Sequence, residues 1–326
     1  NARPNSSASV QVRAGGVLSN LVTIAVAAPG AETCPTDRFS EADLRRLSQG
    51  QDAIEGIFNL SSVLTESHIP SLAFPAQYSE SFIGSIGRIT ANQIGTEGMS
   101  LRPGQCISWR KLGRPSEMQF GFLTLDGLDA GVPIRITGPG GVAIDANRML
   151  NRTNIYLGSA TPGPNRNWGP GMYRLQAPGG AGVGPFNAEM TMPPFEWTNR
   201  AAVTTINRSA GLTVTWTGGA PGGVNITGFG VRLISGNVLL DQENSIVEGT
   251  LFSCIADAAA GTMTVPQSIL NDLPPVNGEG GLQGSLGVYA FPGDMGRPFT
   301  APLVGGGAAR GYFAYISGYS KILTIQ

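Results

Sequence analysis

Apolar and polar residues alternate along much of this chain with a period of two, the pattern of strands that bury one face. Val10 and Val12 alternate with Gln11 and Arg13, and Val22, Ile24 and Val26 alternate with Thr23 and Ala25, with Gly15-Gly16 between the arms. This predicts a β-hairpin over residues 1–30. Leu212, Val214 and Trp216 alternate with Thr213, Thr215 and Thr217 in the same manner. Strand candidates in the first long block are 105–111, 118–125, 132–137, 142–145, 153–157, 172–176 and 186–192. Turn signals such as Gly138-Pro-Gly-Gly141, Pro162-Gly-Pro164 and Pro178-Gly-Gly180 separate them. The second block repeats the style at 212–217, 224–227, 230–234, 238–240, 249–256, 262–265, 285–290, 311–316 and 321–325.

Helical signals are few. Ser40-Glu-Ala-Asp43 resembles a capping box ahead of Leu44 and Leu47, with a second turn expected over 52–58, and 267–273 offers a turn or two after Pro266. The expected fold is all-β, with two Ig-like β-sandwich domains, an N-terminal β-hairpin and a short helical connector. The expected boundaries are 1–30 for the hairpin, 31–77 for the connector, 78–196 for the first sandwich and 197–326 for the second, divided at Pro193-Pro194.

Composition narrows the function classes. Gly contributes 47 and Pro 23 of 326 residues, without the three-residue period of collagen. Charged residues make up 13% and the formal net charge is −1, so no basic excess is present to neutralise a nucleic acid. No run approaches the ~18 continuous apolar residues of a membrane helix, and no leader-like segment opens the chain. Asn1 therefore reads as a processed or cut terminus. The basic residues are 19 Arg and only two Lys, Lys111 and Lys321.

Candidate chemistry is sparse. The one histidine, His68 in Glu66-Ser-His-Ile-Pro70, has no second His for a metal and no Gly-x-Ser-x-Gly nucleophile elbow. It reads as solvent-facing or as a local hydrogen-bonder. Asp126 and Asp129, around Gly127, read as turn caps rather than calcium ligands, because no complete calcium-loop pattern surrounds them. Asp241, Glu243 and Asp257 form no recognisable pair. Gly138-Pro-Gly-Gly141 and Gly305-Gly-Gly307 lack the Gly-Lys-Ser/Thr ending of a phosphate loop. Trp109 and Trp216, on alternating strands, read as core, and Trp168, in a Pro/Gly loop, is the candidate exposed aromatic. No enzyme activity, cofactor or metal is expected. Of three cysteines, Cys254 sits mid-strand and reads as a small buried apolar residue, so the expected bridge is Cys34–Cys106.

The segment Val10-Gln-Val-Arg-Ala-Gly-Gly-Val-Leu-Ser-Asn-Leu-Val-Thr-Ile-Ala-Val26 resembles the closing hairpin of an Ig-like C-terminal domain found in secreted proteins of acidobacteria, Solibacter in particular. Further pieces resemble large secreted proteins of the same bacteria. Among them are Ile136-Thr-Gly-Pro-Gly-Gly141, Arg208-Ser-Ala-Gly-Leu-Thr-Val-Thr-Trp-Thr-Gly-Gly219 and Phe252-Ser-Cys-Ile-Ala256. The resemblance implies an exported bacterial β protein and carries over no site residues. In that family the hairpin follows a full set of strands, whereas here only the last two remain.

A hairpin without its sheet offers unpaired N–H and C=O groups that another sheet edge satisfies. That edge belongs either to its own chain or to a neighbour, and in the second case the contact propagates head to tail. The expected function is a secreted or cell-surface structural subunit, a homo-oligomer or homopolymer such as a filament or surface layer. Val10, Val12, Val22, Ile24 and Val26 are the donor candidates, and Leu323 and Ile325 the acceptor edge. The alternatives are an adhesin or carbohydrate-binding module using Trp168 on a glycan or surface ligand, and a non-catalytic part of a larger secreted enzyme.

Overall fold

The computed structural model describes residues 5–10, 13–14, 17–18, 22–27, 29–30, 39, 41–70, 73–90, 101, 103–117, 126–149, 154–219, 222–237, 241–278, 283–292 and 296–326. The chain is all-β. It opens with four short strands, β1 (Asn5–Val10), β2 (Arg13–Ala14), β3 (Val17–Leu18) and β4 (Val22–Val26). Helix α1 (Glu41–Ser48) is where the capping pattern places it, although Ser40 itself lies outside the described residues. Two long strands, β5 (Ala53–Ser67) and β6 (Gln77–Ile89), precede β7 (Gln105–Gly113). Shorter strands follow: β8 (Asp126–Gly127), β9 (Ile134–Thr137), β10 (Ala143–Arg148), β11 (Tyr156–Ser159), β12 (Gly171–Ala177), β13 (Phe186–Met192), β14 (Phe195–Trp197) and β15 (Thr205–Ile206). The remainder holds β16 (Leu212–Gly218), β17 (Gly223–Asn237), β18 (Asp241–Asp257), β19 (Thr262–Val265), the short α2 (Gln267–Leu270), β20 (Gly284–Phe291), β21 (Arg297–Pro302) and β22 (Ala308–Ile325).

One large sheet dominates, in the order β13-β12-β9-β10-β11-β6-β5-β22-β20-β17-β18-β7. Two features depart from the expected arrangement. The stretch read as connector, 31–77, carries β5, and the turn of helix expected over 52–58 is the start of that strand. Strands on both sides of Pro193-Pro194 also share this sheet, because β5 pairs with β22 in parallel from Glu55↔Arg310 to Ser67↔Ile322. The other side of β22 is taken first by β21 and then by β20. The expected strand over 118–125 lies outside the described residues.

The sheet curls so that its first half closes on itself. The bridge Val183↔Leu303 and the bond from the Gly184 amide to the Pro302 carbonyl, 2.8 Å, join the approach to β13 with the end of β21. Inside this half the rings of Phe58, Phe82, Phe186 and Phe299 meet, Phe186 stacking on Phe299 at 5.0 Å between centroids. In the second half a three-stranded sheet, β14-β16-β19, brings Trp197, Val214, Trp216 and Val265 into the same continuous core as Val224, Ile226, Phe252 and Val288.

Several glycines sit within strands directly opposite an aromatic residue: Gly84 faces Phe58, Gly228 faces Phe252 and Gly311 faces Phe299. Each ring lies over the glycine, filling the space a side chain would take. A Cβ at Gly84 would overlap the Phe58 ring and stand 2.8 Å from the Ile57 carbonyl oxygen. Gly84→Ala is therefore expected to destabilise by about 3 kcal/mol, the upper range for overpacking. Gly163→Ala, with nothing near its added methyl, serves as the control. Urea midpoints compare the two, and equal midpoints would refute the packing argument.

Candidate functional site

The N-terminal hairpin forms as its pattern predicts. β1 and β4 pair antiparallel, with Val10 opposite Val22, Ala8 opposite Ile24 and Asn5 opposite Val26. Ala14 opposite Val17 leaves Gly15-Gly16 as a two-residue connection, which lies outside the described residues together with Val12. Among the described residues, β1 and β4 pair with each other and with no strand of the larger sheets. A two-stranded ribbon of this kind is marginal by itself in water.

The expected acceptor edge is not an edge. Leu323 pairs with Gly284 of β20 and is fully buried. Ile325 is buried between β15, through Ile206, and a bridge to Val276. Both sides of the last turns of β22 are thus occupied within the chain. Its final strand reads as an exposed terminus only when its neighbours, distant in sequence, are left out.

Trp168 is likewise not an exposed aromatic: it is 2% exposed and belongs to the core. Its loop is drawn inward by Glu80, a buried carboxylate on β6. Glu80 accepts from the Trp168 amide at 2.7 Å, the Asn167 amide at 3.0 Å and the Ser62 hydroxyl at 2.9 Å. Arg166 completes the cluster, donating to Ser62, to the Trp168 carbonyl and to the Ser317 hydroxyl. The cluster ties the 160s loop to β5, β6 and β22, and leaves no indole face for a sugar.

A second buried cluster surrounds Lys321. Its side chain is fully buried, and its ammonium donates to the Arg200 carbonyl at 2.6 Å, the Val203 carbonyl at 2.7 Å and Glu66 Oε1 at 3.2 Å. It also stands 5.6 Å from the Trp197 ring. Beside it, Tyr319 donates to Glu196 and carries the Arg200 guanidinium 4.5 Å over its ring. Burial lowers the Lys321 pKa, while Glu66 works against that shift. Burial would raise Glu66, but the bond from Lys321 and the charges of Arg200 and Lys321 outweigh it and hold the carboxylate below its usual range. Burial and the Glu196 carboxylate push the Tyr319 phenol upward. The three N–H donors of Lys321 are all engaged, so the ammonium fastens the turn over Arg200–Ala202 to β22 and has no proton to offer a substrate. Its one sequence signal is parity: Tyr319, Lys321, Leu323 and Ile325 fall on the same face of one strand.

The remaining candidates are structural. His68 sits 3.4 Å from Glu66. Asp129 accepts from the Gly131 amide at 2.8 Å and the Ala181 amide at 3.2 Å and pairs with Arg148, so it pins two turns together. The Gly131 bond is the main reason its carboxyl lies below the usual range. Asp257 caps the turn at Ala259, and Asp241 holds Asn244. Gly138 to Gly141 form a tight turn in which Gly140 and Gly141 take φ of 67° and 82°. The disulfide joins Cys106 to Cys254, not Cys34 to Cys106. The two cysteines are directly opposite in the β7–β18 pair, so Cys254 is half of a cross-strand bridge rather than a free apolar residue. Cys34 lies outside the described residues. Among the described residues no cluster of three His, Cys, Asp or Glu side chains is placed to hold a metal, and no helix is long and apolar enough to cross a membrane.

No protein-family model and no curated protein matches the chain. Among solved structures, the Mu homology domain of Fcho1 from Danio rerio, with a bound Eps15 peptide, aligns over 86% of this chain and 100% of its own. The identity is 8% and the TM-score 0.14, too low to carry an argument.

Proposed function

We propose that this protein is an extracellular structural subunit that joins copies of itself by adding its N-terminal hairpin to a neighbour's sheet. The observation that carries this reading is the separate pairing of β1 and β4, a ribbon with no strand partner in the larger sheets among the described residues. Adding such a ribbon to a sheet satisfies its outer backbone groups. The Cys106–Cys254 bridge suits an oxidising compartment outside the cytosol. The burial of Trp168 weighs against the glycan-binding alternative, which relied on that side chain.

Removal of residues 1–28 tests the proposal. The full chain is expected to form concentration-dependent oligomers or filaments, and the truncated chain to stay monomeric and folded. Light scattering and electron microscopy supply the readout. Truncated chains that still build filaments of unchanged form would remove the hairpin from the assembly.

A further inference from the structure

A small cleft of about 100 Å³ opens at the edge of the second half of the fold, where β7, β17 and the turn after β15 approach α2. Arg110, Arg208 and Arg232 line it, with Glu248 and Asp272, and Pro274-Pro275 forms one wall. Each guanidinium comes from a different element, so the convergence is a product of the fold and not of a basic run in the sequence. Arg110 pairs with Asp272 at 3.2 Å and Arg232 with Glu248 at 3.0 Å. Among the described residues Arg208 pairs with no carboxylate. Its Nη2 donates to the Asn271 carbonyl at 2.8 Å, and its Nε is buried with no hydrogen-bond acceptor among the described residues. Three guanidiniums thus face two carboxylates, which leaves one positive charge and an orphaned donor at the same place.

A buried N–H on a charged group that lacks an acceptor is costly, and a guanidinium fork matches the two oxygens of an oxyanion. We propose that this cleft is an anion subsite for a carboxylate or sulfate group, with Arg208 supplying the uncompensated positive charge. Arg110 and Arg232 each engage one acid and keep further donors for the ligand.

Calorimetric titration of the full chain at low ionic strength, where exposed charges are least screened, tests the proposal. The probes are sodium sulfate and sodium glucuronate, with glucose as the neutral control. Binding of either anion but not of glucose is expected, and the tighter of the two identifies the group. Arg208→Met should weaken it by roughly tenfold or more, the loss of about one charge-assisted bond. Arg174→Gln, whose side chain pairs with Glu189 elsewhere, should leave it unchanged. If circular dichroism shows that Arg208→Met does not fold, Arg232→Gln serves in its place, because its exposed side chain lines the same cleft. No binding of either anion, or binding that the folded cleft variant retains, overturns the assignment.

Discussion

Lys321→Met is expected to cost about 3 kcal/mol of stability, the lower end of the range for removing one partner of a buried charged pair, because Lys321 is fully buried and Glu66 only half-buried. Methionine fills nearly the same volume, so the loss comes from what remains behind. The Arg200 and Val203 carbonyls lose their donor, and Glu66 keeps its negative charge without the ammonium 3.2 Å away. Urea midpoints at neutral pH measure the effect. Glu66→Gln in the same background should add little, because the two residues act as one unit. Acid supplies an independent check. Since the folded state holds the Glu66 pKa below its unfolded value, this group contributes stability above the ordinary carboxylate range and loses it as the pH falls through its folded pKa. Lys321→Met should shrink that acid-dependent part, because Lys321 provides the leading lowering contribution. A loss below about 1 kcal/mol, the range of a surface pair, would mean that this network is worth no more than one.

Breaking the Cys106–Cys254 bridge is the second large effect. The bridged residues are 148 apart in sequence, so the bond closes a very long loop in the unfolded chain. The double substitution Cys106→Ser and Cys254→Ser is expected to cost about 2–5 kcal/mol, the usual range for loss of a native disulfide. Reductant should lower the wild-type midpoint to the same degree and leave the double variant unmoved. Peptide mapping of unreduced protein should link the segments holding Cys106 and Cys254 and leave Cys34 free of them. A peptide joining Cys34 to Cys106 would overturn the pairing.

The strands that are legible in the sequence are those with one wet face. β13 and β19 occupy the ranges their alternation predicts, residue for residue. β5 and β6, near the centre of the sheet, are hidden because their inward positions break the rule. The inward face of β6 reads Glu80, Phe82, Gly84, Ile86, so two of four positions are not apolar. Gly84 is there to admit the Phe58 ring, and Glu80 to hold the Trp168 loop. A glycine under a ring therefore reads as a turn when only the local pattern is considered. β22 is split into two expected strands for a related reason: Ser317, Gly318 and Ser320 interrupt the apolar run, although Ser317 and Gly318 are buried within the strand. The site expectations fare by the same principle. The hairpin, a local object, is found where its alternation and Gly-Gly connection place it. The disulfide partner, the burial of Trp168 and the covering of Leu323 and Ile325 all depend on contacts between residues far apart in the chain, which no local pattern carries.

The placement of β22 beside β5 also sets the order in which this protein is able to fold. Arg310 is the parallel partner of Glu55, more than two hundred residues upstream, and the same strand anchors β20 and β21. Until residues 308–325 emerge during synthesis, β5 lacks one neighbour and the two halves of the sheet have no strand between them. Pairing of that range is slow, since the loop must close before any contact rewards it. Until then the growing chain carries exposed strand edges, the condition that favours aggregation or a chaperone's hold.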